Sequence, residues 1–379
     1  MLNVAKKSAL ACLIIVAMTV SAQEKTDWAD VVREFDAYVQ DDHVVGASIL
    51  TMHDGKVIAR HHVGYADRDA KKLIDDNTIF HWGSITKMLT AVAIMQLRDE
   101  GKLTLDDKVT RYVPELRRVH DPYGRIDEIT IRMLLNHTAG FQGPTWPYTK
   151  GQDWEPFEPT EWSQLVAMMP YEQLAFSPGE KYSYSNPGFV YLARIIEQLS
   201  GDPWDGYVHK NIFGPLALQH SYFRNTPKYL RRFRSHNFNV KEENGTVTVV
   251  DRGTEFDPGI TTPNGGWNAP LDDVARFAAF LTAKPANDEV LSRTTVLEMA
   301  QPGKSMANNQ WMGLSTFVVK RGEVTILGHT GWQAGFRGFL FFNPKTSDVV
   351  IYAFNTSSDT PAEKITALRN RVFDYLAGQ

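Results

Sequence analysis

The chain has 379 residues, of which 43% are hydrophobic and 22% are charged, and it contains a single cysteine. One thiol cannot build a disulfide framework, and common structural zinc sites use several Cys or Cys/His ligands. The 40 basic and 44 acidic side chains give a formal charge of −4, which lacks the electrostatic footprint of a nucleic-acid-binding protein. The composition is that of a globular protein with a substantial core.

The one strongly apolar stretch lies at the N-terminus, in residues 8–20. Two lysines precede it and the small residues of Val20-Ser21-Ala22 end it, which is the pattern of a secretory signal peptide. The competing interpretation is a membrane anchor, but the run is shorter than the ~20 residues that a bilayer span needs. We expect residues 1–22 to be cleaved off together with Cys12. Residues 23–379 then form a single exported domain, periplasmic or secreted, without a stable membrane anchor.

Hydrophobic periodicity predicts helices and strands along the rest of the chain. In chain order we expect a helix at 28–40, strands at 44–53 and 56–65, helices at 85–100, 131–135, 188–199 and 271–281, strands at 312–319, 323–328, 335–342 and 349–355, and a helix at 361–376. Strands at both ends with helices between them predict an α+β fold, an α/β sandwich. One antiparallel sheet built from both chain ends would be flanked by helices, with a mostly helical inserted lobe.

The predicted helix at 85–100 carries the first candidate for chemistry. It is apolar on nearly every face, so we expect it to be buried on most sides, and Lys87 lies inside it. Burial lowers the pKa of an unpaired ammonium toward a form that accepts a proton. Ser84 precedes Lys87 by three residues, which makes the two side chains neighbours on a helix. Ser84 and Lys87 are therefore a candidate nucleophile and base.

An isolated S-x-x-K pair is weak evidence, because a chain with this many Ser and Lys contains about one by chance. In that case Ser84 would be an ordinary helix cap and Lys87 would reach solvent. Two further motifs follow in order, however. Tyr184-Ser185-Asn186 stands just before a predicted helix, and His329-Thr330-Gly331 precedes a predicted strand.

The ordered set of these three motifs resembles the β-lactamase-related serine hydrolases. This family includes class C β-lactamases, penicillin-binding DD-peptidases, D-aminopeptidases and related esterases. The likeness covers most of the chain from about Trp28 to the C-terminal helix, and it extends to Leu134–Gly140, Phe176–Gly179 and Gly265-Gly266.

The resemblance implies a catalytic mechanism. Ser84 would attack a carbonyl to form an acyl-enzyme, and Lys87 and Tyr184 would take the proton. A phenol is a poor base at pH 7, so Tyr184 needs a nearby positive charge, which Lys87 would supply. Asn186 would hold Lys87 and a substrate amide, and the main-chain N–H groups of Ser84 and Trp332 would form the oxyanion hole.

The third motif departs from the β-lactamases proper, which have a lysine where His329 stands. With an unperturbed pKa near ~6.5, His329 would be largely neutral at pH 7 and would bind a substrate carboxylate less well. Thr330 and Gly331 would border the substrate, since Gly331 permits a close approach to the strand edge. Arg337 either replaces the missing cation or is a solvated strand residue.

The substrate implied by this variant is a peptide, an amide or an ester. The alternatives are a β-lactamase proper and a sensor that acylates with a penicillin or a peptidoglycan peptide but barely turns over. The loop from Phe141 to Thr160, rich in proline and aromatic residues, would rim the pocket or be a structural excursion.

Other enzyme classes lack their motifs here. No G-x-S-x-G, H-x-H-x-D or H-E-x-x-H occurs, and the neighbouring His61 and His62 lie in a predicted strand where their side chains face opposite ways. We therefore expect no metal and no cofactor, and the sequence makes no prediction of an oligomeric state.

Overall fold

The computed structural model describes residues 26–141, 159–282, 289–307, 309–333, 335–358 and 363–379. The predicted signal peptide, residues 1–22, lies outside these ranges. The α-helices in chain order are α1 (Trp28–Asp41), α2 (Thr86–Asp99), α3 (Ile131–Leu135), α4 (Trp162–Met168), α5 (Pro187–Ser200), α6 (Trp204–Val208), α7 (Thr262–Gly265), α8 (Leu271–Thr282), α9 (Arg293–Met299) and α10 (Glu363–Ala377). Among the residues so described, no helix is both long and apolar enough to cross a bilayer.

The strands come in two groups, near the two ends of the chain, with shorter strands between them. They are β1 (Gly46–His53), β2 (Lys56–Asp67), β3 (Lys72–Leu73), β4 (Ile79–His81), β5 (Tyr222–Phe223), β6 (Phe238–Glu243), β7 (Thr246–Asp251), β8 (Trp267–Pro270), β9 (Ser305–Ala307), β10 (Gln310–Met312), β11 (Phe317–Arg321), β12 (Val324–Gln333), β13 (Phe336–Asn343), β14 (Asp348–Phe354) and β15 (Thr356–Ser358).

The main sheet joins the two ends of the chain. Its strand order is β3-β2-β1-β14-β13-β12-β11-β10-β9, and the neighbouring strands pair antiparallel. The two ends meet where β1 pairs with β14, with Ala47 opposite Phe354 and Leu50 opposite Ile351. Helices α2 to α9 come between the two strand groups of this sheet in the chain. The predicted α+β fold, with one sheet built from both chain ends, is therefore confirmed.

The two faces of this sheet belong to different hydrophobic clusters. Successive side chains of a strand point to opposite faces, so Phe339 and Phe341 lie with α1 and α10, while Leu340 and Phe342 lie with α2, α5 and α8. The second cluster is the larger one and includes the buried length of α2. Any residue of β13 can thus be assigned to the α1/α10 face or to the α2 face from its position alone.

One strand prediction was wrong, and several shorter strands were not predicted. The strand predicted at 312–319 is two strands, because the chain leaves the sheet between β10 and β11. In that break the N–H of Ser315, a residue with a φ of +59°, donates to Leu135 O. The hairpin of β6 and β7 was not predicted, although Asn244 and Gly245, both with positive φ, form the Asn-Gly turn that favours such hairpins.

Candidate active site

Ser84 lies in a short 3₁₀ turn, Gly83–Ile85, that leads directly into α2. Thr86 anchors this turn, since its Oγ1 donates to the main-chain oxygen of Gly83 at 2.6 Å. Every residue of α2 from Thr86 to Leu97 is buried, which confirms the prediction from the apolar pattern. The side chain of Ser84 is only partly buried, so the hydroxyl stands at the accessible end of an otherwise buried helix.

Lys87 is fully buried one helical turn from Ser84. Its Nζ forms a hydrogen bond with Ser84 Oγ at 3.0 Å and donates to the main-chain oxygen of Asn264 in α7 at 2.7 Å. Burial disfavours the ammonium form, and therefore the pKa of Lys87 lies well below its usual 10.5. A buried amine with a lowered pKa, bonded to a hydroxyl, has the properties of a general base for that hydroxyl.

Tyr184 meets Ser84 and Lys87 from the segment before α5. Its hydroxyl is hydrogen-bonded to Ser84, and Lys87 Nζ lies 4.9 Å from the centroid of its ring. Burial raises the pKa of Tyr184 far above its usual value, although the hydrogen bond to Ser84 acts in the opposite direction. The expectation that Lys87 lowers this pKa was wrong, because the burial of Tyr184 itself dominates the shift and Lys87 does not contribute to it.

Asn264, rather than Asn186, holds the amine of Lys87. The hydrogen bonds of Lys87 go to Ser84 and to the main-chain oxygen of Asn264, and not to Asn186 at the N-terminus of α5. The Oδ1 atom of Asn186 and the Nδ2 atom of Asn264 are both buried without a hydrogen-bond partner in the described ranges. One free acceptor and one free donor are the groups needed to bind an amide from outside the chain.

Strand β12 passes next to the Ser84 turn. A Cβ atom on Gly331 would lie 1.9 Å from the main-chain oxygen of Trp82 and 3.3 Å from the nitrogen of Ser84, so glycine is required there. A Cβ atom on Gly83 would lie 3.2 Å from the nitrogen of Trp332. The main-chain nitrogens of Ser84 and Trp332 therefore belong to adjoining backbone segments, and the indole of Trp332 is 61% exposed.

His329 is buried in β12, where its ring stacks on Phe317. Its Nδ1 donates to the main-chain oxygen of Thr330 at 2.6 Å, because a carbonyl oxygen can only accept. Burial, and to a smaller degree the charge of Lys87, lower the pKa of His329 to about 3. The ring is therefore neutral at pH 7. Its Nε2, a buried acceptor, bonds to nothing in the part of the chain that the structure describes.

Arg337 does not reach this site. Gly338, its neighbour in β13, faces the side chains of Trp82 and Ile85 next to the Ser84 turn, so Arg337 points to the opposite face of the sheet. There its Nη2 donates to Ser358 O at 2.9 Å. The suggestion that Arg337 replaces the missing cation was wrong for this geometric reason, and the alternative of a solvated residue describes only its exposed part.

The sequence assigned no role to His137, which the structure places against Tyr184 with ring centroids 4.4 Å apart. His137 and Asn264 both lie in or beside the segments that resemble the family, but nothing in their residue types indicated a contact with the catalytic group. Except for its ends, the loop from Phe141 to Thr160 lies outside the described residues. Within those residues, no three His, Cys, Asp or Glu side chains are placed to hold a metal ion.

Comparisons with known proteins identify the family of this chain. The family model described as Beta-lactamase matches residues 31–373. Protein flp of Staphylococcus aureus (strain MW2) is 25% identical over 339 residues, which are 89% of this chain and 65% of flp, so this chain spans less than two thirds of that relative.

Solved structures of related proteins have the same fold. A penicillin-binding protein homologue from Pyrococcus abyssi, described as octameric, has a TM-score of 0.76 at 25% identity and covers 92% of this chain and 77% of its own. A D-amino acid amidase from Ochrobactrum anthropi SV3 shares the fold, with a TM-score of 0.73 at 19% identity over 92% of this chain and 97% of its own. The chain belongs to the β-lactamase family.

Proposed function

We propose that this protein is a serine hydrolase that forms an acyl-enzyme at Ser84 and cleaves an amide, peptide or ester bond. The observation that carries the proposal is the 3.0 Å hydrogen bond between Ser84 Oγ and Lys87 Nζ, an amine whose pKa burial lowers. A serine hydroxyl becomes a useful nucleophile when such a base accepts its proton.

The first half of the reaction assigns one role to each of three groups. Ser84 Oγ bonds to the substrate carbonyl carbon while its proton passes to Lys87 Nζ. The phenol of Tyr184, whose raised pKa keeps it protonated, donates a proton to the leaving nitrogen or oxygen as the scissile bond breaks. The proton on Lys87 then restores the phenol. In the second half, water attacks the acyl group and the same proton transfers run in reverse.

The negative charge of the tetrahedral intermediate needs donors that are already in place. We assign this role to the main-chain N–H groups of Ser84 and Trp332, which the glycines at 83 and 331 allow to approach each other. The nitrogen of Ser84 lies in the first turn of a helical segment, where main-chain N–H groups have no partner within the helix. Neither group has to move when the charge forms.

The substrate class follows from the neutral His329. A histidine with a pKa of about 3 offers no positive charge at pH 7, and Arg337 on the other sheet face does not replace it. A substrate carboxylate beside β12 would therefore be poorly bound. This favours amides, peptides and esters over β-lactams, and the D-amino acid amidase of the same fold is in line with that choice.

A penicillin-binding sensor is the second candidate, because the structural relative from Pyrococcus abyssi is a penicillin-binding protein homologue. Such a protein needs the same acylation groups but hydrolyses its acyl-enzyme very slowly. Persistent labelling of Ser84 by a penicillin, with no turnover of any ester or amide, would favour the sensor.

Export of the protein is part of the proposal. The apolar N-terminal stretch and the small residues before Gln23 support a signal peptide at residues 1–22 and a mature domain of residues 23–379. Expression in a secreting bacterial host, followed by N-terminal sequencing of the protein outside the cytoplasm, should give Gln23 as the first residue. An intact N-terminus in the cytoplasm would contradict export.

A small substrate panel tests the catalytic proposal. Nitrocefin, p-nitrophenyl acetate and D-alanine p-nitroanilide should each be compared in the wild type, Ser84→Ala and Ser200→Ala, which removes a hydroxyl at the far end of α5. We expect Ser84→Ala to lose at least ~1000-fold in kcat, whereas Ser200→Ala keeps it. His329→Lys should raise nitrocefin turnover by roughly 10-fold relative to the ester. Activity that survives Ser84→Ala would overturn the mechanism.

A further inference from the structure

His137 is a buried histidine next to the catalytic group with no part in the mechanism above. It follows α3 with a φ of +58°, in the left-handed region that side chains other than glycine rarely adopt, and its side chain is 1% exposed. Its main-chain N–H donates to Leu134 O at 3.3 Å, which continues the end of the helix. The chain thus keeps a large polar residue where glycine or asparagine would be less strained.

The backbone on both sides of Tyr184 is bonded to this one residue. The N–H of Ser183 donates to His137 O at 2.9 Å, and the N–H of Ser185 donates to His137 Nδ1 at 3.1 Å. Residues 182–185 belong to no helix or strand, so no ladder of main-chain hydrogen bonds positions Tyr184. The main-chain oxygen and the imidazole Nδ1 of His137 instead hold the backbone on either side of Tyr184.

The ring of His137 also packs on the ring of Tyr184. Their centroids are 4.4 Å apart with an interplanar angle of 32°, and Phe189 lies 5.3 Å from the imidazole centroid. Since Nδ1 accepts the N–H of Ser185, the proton of the neutral ring is on Nε2. Burial is the main cause that lowers the pKa of His137 well below its usual value, so Nδ1 remains an acceptor.

We propose that His137 is a positioning residue that holds the phenol of Tyr184 on Ser84 through the paired bonds to Ser183 and Ser185. The proposal rests on the proposed function, in which Tyr184 donates the proton to the leaving group. Misplacement of such an acid by about 1 Å can cost roughly 100-fold in rate. The loss should appear in kcat, because His137 is bonded to the Tyr184 segment and not to a substrate.

Two substitutions separate the imidazole acceptor from the unusual backbone. His137→Gly accepts a positive φ but has no acceptor, whereas His137→Asn tolerates the same φ and places its Oδ1 near the position of Nδ1. His43 provides a matched control, since it also has a positive φ of +55° but is exposed in the turn after α1. His43→Gly should therefore leave kcat unchanged.

The decisive measurement is a double-mutant cycle with Tyr184→Phe, using D-alanine p-nitroanilide, whose poor leaving group needs the acid. We expect His137→Gly to lower kcat by roughly 30- to 100-fold with KM within about 3-fold, and His137→Asn to recover most of it. In the Tyr184→Phe background, His137→Gly should cause almost no further loss, because the hydroxyl it positions is gone.

The results separate this proposal from the proposed function. Additive losses in the cycle, or equal losses in His137→Asn and His137→Gly, would show that His137 acts only on folding and would overturn the positioning role. A fluorophosphonate label that still attaches in Ser84→Ala would instead overturn the proposed function, independently of the His137 variants.

Discussion

Two regions of the molecule each bury a titratable side chain, and only one of them becomes a candidate active site. Lys87 in α2 and Glu172, between α4 and α5, are both buried, and burial shifts the pKa of each toward its neutral form, to about 8 for Glu172. The amine of Lys87 is bonded to Ser84 and Asn264, whereas Oε2 of Glu172 meets no hydrogen-bond partner in the described ranges. Burial therefore favours the neutral form of both groups. Only Lys87 is also bonded to a nucleophile, Ser84, whose proton it can accept.

The strongest test of this comparison is Lys87→Met, which keeps the length of the side chain but removes the amine. We expect kcat to fall by roughly 1000-fold or more, because Ser84 loses its base. The free energy of unfolding should change by less than about 2 kcal/mol, since the two lost hydrogen bonds are offset by the desolvation that the amine no longer costs. Steady-state kinetics and denaturant unfolding measure the two quantities.

The matched control is Lys210→Met, which removes an exposed amine from an ion pair with Asp202 and should leave both quantities nearly unchanged. If Lys87→Met unfolded the protein but spared the activity of the folded fraction, Lys87 would be a structural residue like Glu172, and the contrast between the two regions would disappear.

Glu172→Gln should show the opposite behaviour, a change in stability with no change in catalysis. The carboxyl has a pKa of about 8 when folded against 4.5 as its ordinary value, so the folded state holds a proton that the unfolded state has lost. Its contribution to stability is complete below pH 4.5 and disappears as the pH rises to about 8. Between pH 4.5 and about 8, the free energy of unfolding of the wild type should fall by up to about 1.4 kcal/mol per pH unit relative to that of Glu172→Gln.

Unfolding midpoints in urea at a series of pH values measure this difference, with the exposed Glu243→Gln as the control. Parallel pH curves for the wild type and Glu172→Gln would show that Glu172 is already ionised in the fold. A fall in kcat of more than about 3-fold in Glu172→Gln would connect the two regions that the comparison separates.

Much of the fold was predictable from local sequence, because the elements in question are continuous apolar runs. The runs in β13 and β14 and the apolar α2 indicated the sheet built from both ends and the buried helix. The single strand predicted at 312–319 was wrong, because the sequence gives no sign of the break between β10 and β11. In that break the N–H of Ser315 donates to Leu135 O, in a distant part of the chain. No local pattern encodes such a bond.

The candidate site was predictable only where a motif named a residue. Ser84, Lys87 and Tyr184 are brought together as their order in the chain suggested. The predicted direction of the Tyr184 pKa shift was wrong, because the shift depends on how completely Tyr184 itself is buried, and the sequence does not give that depth. His137 and Asn264 act through main-chain atoms or a single ring nitrogen, so their residue types carried little information about a contact.

Arg337→Ala should have the smallest effect on stability and activity. Arg337 is a third charged group to set beside Lys87 and Glu172. Arg337 is only half-buried, and its guanidinium donates to Ser358 O on the α1/α10 face of the sheet, away from Ser84. Loss of this bond should lower the free energy of unfolding by about 1 kcal/mol, while kcat and KM stay within about 2-fold of the wild type. Kinetics on a substrate that carries a carboxylate provides the critical case. A selective rise in KM for that substrate would show that Arg337 contacts the substrate. The alternation of β13 side chains between the two sheet faces would then no longer determine which of them reach Ser84.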